Sequence, residues 1–68
     1  MLTNYTKTER ITAAESALYN WACGNLTTEN TKHHCEALGF EIDFRQADYD
    51  NRMRGYWIED GSPITLEV

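Results

Sequence analysis

Apolar residues follow two different rhythms in this chain, and the change falls at Gly39. Before it, Ile11, Ala14, Leu18, Trp21 and Ala22 recur at the three- and four-residue spacing of one helix stripe. After it, Phe40, Ile42 and Phe44 alternate with Glu41, Asp43 and Arg45, which is the two-residue period of a half-buried strand. A chain that changes period once places its helices on one side of the sequence and its strands on the other. The fold class expected is therefore α+β, with two N-terminal helices packed on a three-stranded antiparallel meander.

The spacing predicts a loose arm over 1–7, helices over about 8–23 and 27–38, and strands over about 40–46, 52–59 and 63–67. Thr8 or Thr12 can cap the first helix, and Thr12-Ala-Ala-Glu15 has capping-box spacing. Gly24 is a natural stop, and Leu26-Thr27-Thr28-Glu29 restarts a helix with a threonine cap. Thr31, His34, Cys35 and Leu38 share its apolar side. Residues 47–51 are rich in turn formers, and Asp60-Gly61 signals a tight turn. Pro63 suits the start of the last strand. Ile64, Leu66 and Val68 follow on one side, with Thr65 and Glu67 on the other. Gly55 marks a bulge or a close backbone approach. Trp57 is the expected inward anchor of the middle strand. The faces of that strand stay open, because Met53, Arg54, Tyr56, Trp57 and Ile58 do not alternate cleanly. The sheet face away from the helices is expected to show Glu41, Asp43, Arg45, Arg54, Tyr56, Thr65 and Glu67.

A chain of 68 residues makes a single domain that buries only about 60% of the surface its unfolded form exposes. Such domains gain from a disulfide, a metal or a partner subunit. The polar start MLTNYTKTER has no apolar signal-peptide core, and no stretch approaches a membrane span. A cytoplasmic protein with reduced Cys23 and Cys35 is the expectation, with a homodimer as one source of extra burial.

Several constellations invite chemistry, and each has a plainer reading. His33-His34-Cys35 with Cys23 offers zinc-ligand types, but no paired C-x-x-C or H-x-x-x-H spacing, and adjacent histidines point to different sides of a helix. The two cysteines read more simply as small buried residues on facing helices. Cys35 as a nucleophile lacks a third orienting group. Asp48-Tyr49-Asp50-Asn51 opens like a calcium loop but lacks its glycine and its terminal glutamate. No catalytic residue, metal or cofactor is expected, and the chain is read as not an enzyme.

Charge is the remaining signal. Lys7, Arg10 and Lys32 balance Glu9, Glu15 and Glu29, so residues 1–34 are neutral and residues 35–68 carry the whole net charge of -5. Two helices followed by a hairpin would suit a small dimeric helix-turn-helix-like DNA-binding regulator, yet Lys32 is the lone Lys or Arg of the second helix. Phosphate binding needs more cations than that. Carboxylates two apart on a strand stand about 7 Å from each other, a spacing that imitates nucleic acid toward a basic groove. Glu41, Asp43, Asp48, Asp50, Glu59 and Asp60 would supply the charge, with Tyr49, Tyr56 and Arg54 as anchors. In length and acidity the chain resembles the anti-CRISPR and anti-restriction inhibitors that phages and mobile elements encode. That resemblance implies a non-enzymatic inhibitor in the host cytoplasm that occupies a basic nucleic-acid-binding protein and binds no nucleic acid or membrane itself.

Overall fold

The computed structural model describes residues 5–44 and 52–68. Two helices, α1 (Lys7–Ala22) and α2 (Thr28–Ala37), precede three strands, β1 (Phe40–Asp43), β2 (Arg52–Trp57) and β3 (Pro63–Glu67). The strands form one antiparallel sheet in the order β1-β2-β3. This is the expected α+β fold, with the helices N-terminal to a meander.

The cap of α1 is Thr6, not the expected Thr8 or Thr12. The capping box is Thr6-Lys7-Thr8-Glu9, six residues earlier than the Thr12–Glu15 pair. The Glu9 N–H donates to Thr6 Oγ1 at 3.1 Å, and the Thr6 N–H donates to Glu9 Oε1 at 2.9 Å. These bonds from Thr6, its backbone N–H first, lower the pKa of Glu9. Thr12 is inside the helix, and its hydroxyl donates to the Thr8 carbonyl at 3.0 Å. Both segments have the Thr-x-x-Glu spacing. The earlier one extends the helix a full turn ahead of its first apolar residue, far enough for Lys7 and Arg10 to reach Trp57.

The cap of α2 is a threonine as expected, Thr27, with the Asn30 N–H donating to its hydroxyl at 3.1 Å. Gly39, at φ +97°, turns the chain from α2 directly into β1. That left-handed conformation strains any residue with a Cβ.

The core lies between the helices and the inner sheet face. It gathers Ala14 and Leu18 of α1, Cys35 of α2, and Phe40, Ile42, Met53, Trp57 and Leu66 of the sheet. Thr31 is the one buried polar residue among those described, and its hydroxyl donates to the Thr27 carbonyl at 2.8 Å. The Trp21 indole N–H donates to Thr28 Oγ1 at 2.9 Å and so ties the helices together. Trp21 also meets Phe44 edge-on, with ring centroids 5.2 Å apart.

Two expectations about helix faces are corrected. His34 is exposed, because Thr31 and Cys35 alone fill the narrow contact of α2 with the core. Cys23 is exposed at the C-cap of α1, where the helix has already passed the core, while Cys35 is fully buried. Both are free thiols. Among the described residues no helix is long and apolar enough to cross a membrane.

Candidate functional site

Strand register decides what the outer sheet face displays. Phe40 stands opposite Trp57, and Met53 opposite Leu66, so these positions and Gly55 face inward. The intervening positions face away from the helices in three rows. Glu41 lies beside Tyr56 and Pro63, Asp43 beside Arg54 and Thr65, and Arg52 beside Glu67. The β2 and β3 members of these rows are exposed, while Glu41 and Asp43 are half-buried. Neither helix covers this face. Its described charges are mixed, with acids and arginines side by side.

The middle strand alternates cleanly in space, although its sequence does not show it. Tyr56, expected on the outer face, is 47% exposed, and Ile58, whose face the sequence left open, is 51% exposed. The inward position between Met53 and Trp57 is filled by Gly55. A Cβ there would collide with the Glu41 carbonyl oxygen and lie 2.9 Å from Ile42 Cδ1. Gly55 is thus a close backbone approach, one of the two expected alternatives.

The expected partner-binding residues divide into two described groups. Glu41, Asp43, Arg54 and Tyr56 share the outer face. Glu59 and Asp60 lie in the β2–β3 turn, at the far end of the sheet from Asp43. The Glu59 carboxylate is engaged, with Arg10 Nη1 3.3 Å from its Oε1. Arg10 and Lys7 each place their cation 5.2 Å from the Trp57 ring, and Trp57 packs on Phe40 with centroids 4.3 Å apart. Asp60 shapes the turn, its Oδ1 accepting the Ser62 N–H at 2.9 Å. Ser62 lowers the Asp60 pKa, with a lesser contribution from Lys7. Arg45, Asp48, Tyr49 and Asp50 lie outside the described residues.

A groove of about 440 Å³ runs along the outside of β1. Its floor is the chain from 41 to 44, Tyr56 closes it from β2, and Thr28 and Lys32 form its helical wall. The groove therefore joins Glu41, Asp43 and Tyr56 to a wall that the sequence reading did not assign to any site. The signal was there in part, since Thr28 and Lys32 are four apart on one helix face. Its lining mixes apolar surface with two carboxylates and one ammonium, which suits recognition of a polar chain better than covalent chemistry. Among the described residues no three His, Cys, Asp or Glu side chains converge as a metal site would require. Burial, and to a lesser degree Glu36, pushes the Cys35 thiol up to about 11, so this buried cysteine is an inert thiol at neutral pH. Comparison with known proteins returns no match, whether family model, curated protein or solved structure.

Proposed function

We propose that this chain is a non-enzymatic binding protein that occupies a basic, nucleic-acid-binding surface of another protein and excludes DNA or RNA from it. The observation that carries the reading is the uncovered outer sheet face. There Glu41 and Asp43, held on a strand, stand beside Tyr56 and Arg54 at the mouth of a groove. A rigid strand fixes the carboxylates at a set spacing, and the tyrosine and arginine supply the side-chain types that anchor protein interfaces. The net charge of -5 favours approach to a cationic surface. Glu59 contributes less, because Arg10 already neutralises it. Asp48, Tyr49 and Asp50 belong to the proposal by charge and sequence position alone.

The test is affinity capture from extract of the native cell, followed by competition with labelled DNA and RNA. The captured protein should bind nucleic acid, lose it when the chain is added, and release the chain steeply as salt rises. Glu41→Lys with Asp43→Lys should abolish capture without unfolding the domain, because both positions face outward. Unchanged capture by that double variant would exclude the face. A mobility shift of DNA by the chain alone would favour the helix-turn-helix regulator instead.

A further inference from the structure

The sheet has two edges, and they are not equivalent. Trp57 N–H donates to the Ser62 carbonyl at 2.8 Å, and Ile58 N–H donates to the Gly39 carbonyl at 3.0 Å. In an antiparallel ladder the paired and unpaired positions alternate. These two bonds therefore set the direction of every backbone group in the sheet. On β3, residues 63, 65 and 67 turn their backbone groups away from β2. Pro63 has no N–H to offer, and the Glu67 N–H is taken by Glu15 Oε2 of α1 at 3.0 Å. That edge is blunted at both ends. On β1 the outward positions are 40 and 42. Phe40 is fully buried; Ile42, itself 6% exposed, lines the groove, and no described residue takes its outward N–H or carbonyl.

We infer that the groove beside β1 admits an extended basic segment of a partner protein, which adds to the sheet as a fourth strand through the backbone of Ile42. This rests on the binding reading above and gives its contact a backbone form. Charge selects the occupant. A second copy of this chain, paired antiparallel about Ile42, would set Glu41 opposite Asp43 of the other copy twice over, and like charges directly opposite oppose pairing. A strand with lysine or arginine at alternate positions instead meets Glu41 and Asp43 on the outer side. Its intervening apolar side chains turn toward Ile42 and Phe44, below Thr28 and Lys32 of α2.

The probes are end-blocked peptides of alternating residues, added to the intact protein at low salt. An alternating lysine–valine peptide should bind and slow hydrogen exchange at the Ile42 amide, while leaving the Thr65 amide unchanged. The same peptide N-methylated at the nitrogens facing β1 should bind about tenfold more weakly, the loss expected for one or two backbone hydrogen bonds. A glutamate–valine peptide should not bind. If the N-methylated peptide binds equally well, or protection falls on Thr65, strand addition is overturned and attraction by charge alone remains. If the lysine–valine peptide fails to bind although the chain still captures a basic protein from extract, the edge proposal is wrong and the binding reading survives. Failure of both overturns both.

Discussion

Gly55 occupies an inward position on β2 whose neighbours on that side, Met53 and Trp57, both fill the core. Its missing side chain lets β1 lie close, so Gly55→Ala should destabilise the fold by about 1–3 kcal/mol, the usual range for an overpacked site. The denaturant midpoint measures this. The substitution Thr65→Ser, on the exposed side of the same sheet, should shift it far less. Cys35 gives a second residue-scale expectation. Its folded pKa is raised from 9.0 to about 11. A raised pKa means the contribution is complete below about pH 9 and is lost as pH climbs toward 11, because the unfolded thiol ionises first. From pH 8.5 to 10.5 the parent should lose more stability than Cys35→Ala, by on the order of 2 kcal/mol. Parallel urea titrations of the two proteins would read the difference, and identical slopes would refute it.

At the scale of elements, each helix depends on a threonine cap. Thr6→Ala and Thr27→Ala should each cost about 1 kcal/mol, whereas Thr12→Ala should change little because its hydroxyl bonds only within the helix. Thermal melts of the three variants would rank them. Glu15 works between elements, and Glu15→Ala should open the β3 edge and raise concentration-dependent self-association, seen by sedimentation. The order and type of all five elements were legible in the sequence, because the period changes cleanly at Gly39 and turn formers stand between the strands. The cap of α1 was not, because Thr6-x-x-Glu9 and Thr12-x-x-Glu15 both have capping-box spacing and Thr8 or Thr12 stood nearer the apolar stripe. The faces of β2 were hidden for a different reason. Ile58 is an apolar residue left outside, and the residue on the inner side between Met53 and Trp57 is a glycine, so hydropathy points the wrong way at two positions.

The whole molecule has little stability to spare. At about 0.05–0.15 kcal/mol per residue, a domain this size holds roughly 3–10 kcal/mol. Leu18 is fully buried at the centre of the core. Leu18→Ala should remove about 2–5 kcal/mol and leave much of the population unfolded at 37 °C, which far-ultraviolet circular dichroism would detect. The candidate site shows the same division between what is local and what is not. Glu41, Asp43 and Tyr56 could be placed by strand alternation and their charge or ring. The α2 wall of the groove and the diversion of Glu59 to Arg10, 49 residues away in sequence, arise only when the helices settle on the sheet.

The bond from Glu67 to Glu15 spans 52 residues and joins the first helix to the last strand. During synthesis, α1 leaves the ribosome well before the residue that completes its contact with the sheet. Until then Ala14 and Leu18 lack the Leu66 side of their cluster, and the nascent chain stays open to chaperones and proteases over that whole interval.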